Sequence, residues 1–221
     1  MAVDLRKEQE ATLARPRAAY GMLARLMFLS MDIFYGRKLT LPKMKFLETL
    51  ARIPYQAWEI RQYWRLGSGS PDAARRGEAE EVLSWSREAQ DNEYWHLVAV
   101  TEKMKQDGVR ASWLWFRAVP WFAAQGYAVF SRRLAFVSIR SAWKLNAQFE
   151  DHAEHCIMQF VRDNPQMENE PVESEAVHDG RGPDGGRYPS WADVFRRAGL
   201  DEREHMNESL RRCGLADKVV P

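Results

Sequence analysis

Apolar residues recur along this chain at helical spacings, and no run alternates strictly between turns, so the pattern predicts helices throughout. A first helix spans about Pro16 to Tyr35 and gathers Leu23, Leu26, Met27, Met31 and Phe34 on one side. "GRKLTLP" breaks it. Thr40 then caps a second helix, with Pro42 in its first turn, that extends to about Leu66. "GSGSPD" is a turn with a cap at Ser70 or Asp72, and a third helix follows to about Gln106. A fourth, Trp113 to about Ser131, holds Pro120 and Gly126 and is expected to kink. A fifth runs from about Arg133 to Asp163. Residues 164–189 are polar, rich in Gly and Pro and without periodicity, and read as a mobile loop. Ser190 caps a last helix to about Arg212, and Gly214 stops it. Residues 1–15 read as a charged tail, and 1–221 as a single domain.

Composition narrows the class. The 221 residues are 45% hydrophobic, enough for one sizeable core. A net charge of +1 provides no field for nucleic acid, so no nucleic-acid partner is expected. Cys156 and Cys213 form no C-x-x-C pair and no disulfide framework, which fits a reducing compartment. The N-terminus lacks the apolar stretch of a secretory signal. Several of the nine tryptophans fall in "ASWLWFRAVPWFAAQGYAVFSRR". Arg117 and Pro120 interrupt that run, so it is a poor spanning helix but suits one lying among lipid headgroups. The first helix adds a second apolar strip, flanked by Arg25, Arg37 and Lys38.

The chemistry lies in acids on apolar helix faces. "LDEREHMN" places Glu202 and His205 three apart, and "NEYWHL" repeats the spacing with Glu93 and His96. Residues three apart share one side of a helix. One E-x-x-H is common on solvated faces, but two on separate helices, one among Trp95, Leu97 and Val98, are not. Glu48 sits between Leu47 and Leu50, and Glu150 follows Phe149. Burying an ionised carboxylate costs several kcal/mol unless it is paired or bound to metal. Two helices with one Glu each and two with Glu-x-x-His are the ligand set of di-iron carboxylate bundles. Carboxylate oxygens bridge iron as it changes charge, and imidazoles fill terminal positions. The fold expected is all-α: a ferritin-like four-helix bundle with a di-iron carboxylate site, holding two iron ions, plus two membrane-interfacial helices. "EDHAEH" also offers Asp151, His152, Glu154 and His155; Glu150 is the preferred ligand because both histidines are already supplied. Asn92 and Asp201 precede ligand glutamates and are placed to hydrogen-bond across the centre.

With these residues in view the chain resembles the alternative oxidases, in particular their plastid terminal oxidase branch and its bacterial relatives. The blocks "FLETLARIPY", "NEYWHL", "FEDHAEH" and "DEREH" carry the resemblance, from Phe46 to His205. It implies a monotopic enzyme, a homodimer on the cytoplasmic face of a bacterial inner membrane, that oxidises ubiquinol or a related quinol and reduces O2 to water without pumping protons. It carries ligand roles onto Glu48, Glu93, His96, Glu150, Glu202 and His205, and places Asp32 and Leu47 near the quinol. Lys43, Arg25 and Asp32 are candidates for gripping quinol oxygens. Where the family has a tyrosine seven residues after the fifth-helix glutamate, this chain has Ile157. Tyr94 or Tyr55 would have to substitute, and a di-iron oxygenase or desaturase-like enzyme on a hydrophobic small molecule is the alternative.

Overall fold

The computed structural model describes residues 3–69, 72–109, 112–178 and 187–221. Ser70, one of the two expected caps, and 179–186 of the polar loop lie outside them. Every regular element among the described residues is helical. The long helices are α2 (Met22–Tyr35), α3 (Leu41–Gly67), α4 (Ala73–Gln106), α5 (Val119–Val137), α6 (Ile139–Asp163) and α8 (Trp191–Arg212), and the short ones are α1 (Leu5–Ala14) and α7 (Glu175–His178). Capping hydrogen bonds set several starts: Thr40 accepts from the Lys43 amide, Asp72 from Arg75 and Ser190 from Asp193.

The expected tail is instead the helix α1. Asp4 caps it by accepting from the Lys7 amide, and it packs on α6 and α8. Its buried positions are Gln9 and Thr12, so apolar periodicity could not reveal it. α2 starts at Met22 rather than Pro16, because Asp151 holds the preceding segment extended across α6. The Ala18 amide and the Tyr20 hydroxyl donate to its Oδ2 at 3.0 and 2.7 Å.

The fourth helix does not end at Ser131. A π-helical turn, Leu114–Ala118, runs without a break into α5, and Pro120 follows just after it. α5 continues to Val137, and Ser138 then caps α6 by accepting from the Ser141 amide. The described part of the polar loop is packed, not loose. Met167 and Val177 are buried, and Trp95 Nε1 donates to the Val177 carbonyl at 3.2 Å. A few apolar anchors suffice there, too sparse to show a period.

α3 pairs with α4 and α6 with α8 to form a four-helix bundle, with α5 lying over α3 and α6. Gly199 makes the α6–α8 approach close, since a Cβ there would meet the Met158 methyl at 2.8 Å. One apolar cluster surrounds Trp95, Trp191 and Phe195, another Tyr55 and Trp58. The buried acids described next sit in the same bundle. No described helix is long and apolar enough to cross a membrane.

Candidate metal centre

Each helix of the bundle sends acid into the interior. Glu48 comes from α3, Glu93 and His96 from α4, Glu150 from α6, and Glu202 and His205 from α8. Each is 4% exposed or less. Their ligating atoms form two overlapping groups, Glu48–Glu93–His96–Glu202 and Glu93–Glu150–Glu202–His205, with the atoms of each group within 4.8 Å of one another. Glu93 and Glu202 belong to both groups. The helical spacing that predicted each Glu–His pair thus produces one arrangement of carboxylates between two imidazoles.

The polar atoms facing inward lack partners. Glu48 Oε2, both oxygens of Glu93, Glu202 Oε2, His96 Nδ1 and His205 Nδ1 are buried without a hydrogen bond. Leaving buried polar atoms unsatisfied costs about 1–3 kcal/mol each. His96 Nδ1 lies 3.5 Å from Glu48, 3.5 Å from Glu93 and 3.3 Å from Glu202, while His205 Nδ1 lies 3.2 Å from Glu93. On its far side His96 Nε2 meets Asp201 Oδ2 at 3.2 Å. A carboxylate accepts, so Nε2 carries a proton, and Nδ1 is the nitrogen that faces the carboxylates and would offer its lone pair to a metal on losing its own proton. Lone pairs of nitrogen and oxygen aimed at a common point are a metal-binding geometry, and the buried cluster can hold metal.

Electrostatics agree. Burial, and the neighbouring Glu202 and Glu93, push Glu48 up to about 8 even though His96 pulls it down. Burial, with Glu202 and Glu93, also holds Glu150 well above the carboxylate range. Burial works against the charged form of both histidines, but Asp201 and the close carboxylates of Glu202, Glu48 and Glu93 raise His96 well above its usual value, and Glu202 and Glu93 do the same for His205. For Glu202 burial is outweighed by His205 and His96, which hold it low. Without cations the site retains protons; divalent ions would displace them.

The other candidates divide. Asp201 is fully buried, bonds His96 and accepts from Arg197 Nε at 2.9 Å. Asn92 is half-buried; it lines a small polar pocket behind His205 and, among the described residues, makes no hydrogen bond to the cluster. Tyr94 is 44% exposed and does not face the centre, because successive helical residues turn by roughly 100° and Glu93 takes the inward position. Tyr55 is the tyrosine at the site. Fully buried, it donates to Glu150 Oε1 at 2.7 Å. The sequence missed Asn146, one helical turn before Glu150, whose Nδ2 donates to that same oxygen at 2.8 Å. Glu204, largely exposed, pairs with Arg197.

The remaining acids of "EDHAEH" neither ligate nor stand in solvent. Asp151 and Glu154 are fully buried and bind Arg15, and Glu154 also takes Thr12 at 2.6 Å and Arg203 at 2.9 Å. His155 bonds the carbonyls of Asp151 and Arg15. They anchor the N-terminal segment. His152 stacks on Phe28 at 3.9 Å, and burial with Arg17 lowers it to about 4, so it is neutral.

His152 helps line a cavity of about 500 Å³ between α2, α3, α5 and α6. Glu48, Glu150, Glu202 and Ile157 form its inner end, Leu47 part of its wall, and Leu23, Phe34 and Ala123 line it from α2 and α5. Asp32 is not on the wall. It pairs with the buried Lys43 at 2.6 Å, and Lys43 also donates to the Gly36 carbonyl, so both are already engaged. Arg25 is exposed on α2. No family model matches the chain, and no curated protein matches it.

Proposed function

We propose that this protein is a di-iron quinol oxidase of the alternative-oxidase kind, reducing O2 to water without pumping protons. The observation that carries the reading is the pair of overlapping buried ligand groups at the inner end of an apolar cavity. Iron bound there would supply electrons to O2 and regain them from quinol, changing between Fe(II) and Fe(III). The chain's own part is to hold and to exclude. Glu48, Glu93, His96, Glu150, Glu202 and His205 would hold the iron, with Glu93 and Glu202 common to both groups. Asp201 fixes the His96 tautomer, while Tyr55 and Asn146 fix Glu150. Leu47, Phe149 and Ile157 present apolar walls that keep water from the reacting ring.

The cavity's outer walls suit an apolar substrate arriving from lipid. α2 exposes Leu26, Leu29 and Ile33, and α5 with its preceding turn exposes Trp113, Trp121 and Phe122. Such apolar exposure on two helices that wall the cavity supports a monotopic seat in the membrane surface. The test is quinol-dependent, cyanide-insensitive O2 uptake by iron-loaded protein in membranes. Uptake with a short-chain quinol, lost in Glu93→Ala, is the expected result; iron-loaded protein that is inert with every quinol overturns it.

A second reading, a di-iron oxygenase acting on a hydrophobic small molecule, is favoured by Ile157. Buried and on the cavity wall, it offers no hydroxyl to a quinol ring. That reading predicts labelled oxygen from O2 in an organic product, whereas the oxidase places it only in water.

A further inference from the structure

We propose that Tyr55, Trp58 and Trp85 form a one-electron relay joining the metal centre to the protein surface. The inference rests on the di-iron reading above. Tyr55 touches the centre twice: its hydroxyl donates to Glu150 at 2.7 Å, and its ring lies 5.4 Å from that of His205. The Trp58 ring stands edge-on to it at 4.9 Å and the Trp85 ring at 5.5 Å. Trp58 and Trp85 stack at 5.1 Å with planes 18° apart. Tyr55 and Trp58 are buried to 1% exposure or less, whereas Trp85 is half-buried and lines the polar pocket behind His205. Its outer face carries Arg212, with Cζ 4.8 Å from the ring centre. The three rings therefore run from a metal ligand to solvent with no aliphatic side chain needed between them.

Tyrosine and tryptophan are the aromatic side chains most easily oxidised by one electron, and rings in contact pass electrons quickly. The apolar cavity admits O2 whether or not a reducing substrate fills it. With the cavity empty, one electron leaves Tyr55 for the oxidised centre, and the phenolic proton passes to Glu150 along their hydrogen bond. An electron from Trp58 refills Tyr55, and the proton returns from Glu150. Trp85 refills Trp58, and a soluble one-electron reductant of the ascorbate class refills Trp85, ending as its own radical. The relay drains oxidising equivalents that would otherwise attack the ligands.

The experiment mixes Fe(II)-loaded protein with O2 in the absence of quinol, freezes samples over time and records electron paramagnetic resonance. Iron content is measured on every sample. The expected wild-type result is a tyrosyl signal that added ascorbate removes. Tyr55→Phe should lose that signal, and Trp85→Phe should keep it while prolonging its life in ascorbate several-fold. Wild-type protein that binds iron yet shows no radical overturns the relay and leaves the metal centre standing. A radical that persists in Tyr55→Phe, or ascorbate decay unchanged in Trp85→Phe, also overturns it. Protein that binds no iron at all sinks the di-iron reading itself. Trp85→Phe is the safer variant for folding, since it alters a half-buried ring.

Discussion

Glu93 and Glu202 serve both ligand groups, whereas Glu48 and Glu150 serve one each. Individual residues should therefore differ in what their loss removes. Glu93→Ala is expected to abolish metal binding, and Glu48→Ala to leave part of it, as measured by metal analysis of purified protein. Equal loss in both would contradict the sharing. Asp201→Asn keeps the shape but lets the side-chain amide turn either way, so the His96 tautomer is no longer enforced. Metal affinity should fall by about 10–100-fold, the usual cost of removing such a partner, read by competition with a chelator. At this scale the acids and histidines that meet in the buried cluster were legible, because E-x-x-H spacing survives any packing of the helices. The choice between Tyr94 and Tyr55 was not. It depends on which way each helix is turned, and Tyr55 lies far from Glu150 in sequence.

Elements were legible where apolar periodicity was strong and illegible where the buried face is polar. α1 is the sharpest instance: Gln9 and Thr12 are its buried residues, and Arg15 just beyond it joins Asp151 and Glu154. Such a contact depends on charge pairing across 139 residues of sequence, which no local pattern records. Glu154→Ala would take one of two carboxylate partners from each of Arg15 and Arg203, which keep Asp151 and Glu8, and would remove an acceptor of the Thr12 hydroxyl; it should cost about 2–3 kcal/mol. Glu175→Ala, which breaks an exposed pair with Arg187, should cost no more than about 1 kcal/mol. Urea denaturation of the two variants tests the contrast; equal costs would mean that α1 is not anchored through Glu154. The α5–α6 boundary was misplaced for a related reason. Arg132 and Arg133 look like a break, yet the helix continues past them and the serine cap lies further on at Ser138.

For the whole molecule, the cost of the centre should appear in stability against pH. Folding raises Glu48 from 4.5 to about 8 and raises Glu150, so the folded chain holds more protons than the unfolded one in that interval. The raised histidines act in the same direction above their usual 6.5. Glu202, held low, loses its contribution only below the ordinary carboxylate range. Metal-free protein should therefore lose stability as pH rises from about 5 to about 8. Metal-loaded protein, whose ligands are already deprotonated, should change little over the same interval. Melting temperatures with and without chelator check this, and a metal-free protein that gains stability with pH would contradict it. The apolar surfaces of α2 and α5 make a separate prediction: Trp121→Asp with Phe122→Asp should reduce co-flotation with lipid vesicles while leaving iron content unchanged. Unchanged flotation would remove the membrane seat.

The sequence by itself determined that the chain is helical, roughly where most helices lie, and which acids and histidines share a helix face. These are local properties, set by backbone periodicity and by capping side chains within one turn. Tertiary structure decided that Glu93 and Glu202 are shared, that Tyr55 and Asn146 hold Glu150, and that α1 is clamped by the acids of "EDHAEH". It also set the cavity against Ile157 and the Trp58–Trp85 stack beside the centre. Those facts depend on how helices distant in sequence rotate and approach, which packing and charge pairing settle only once the bundle has closed.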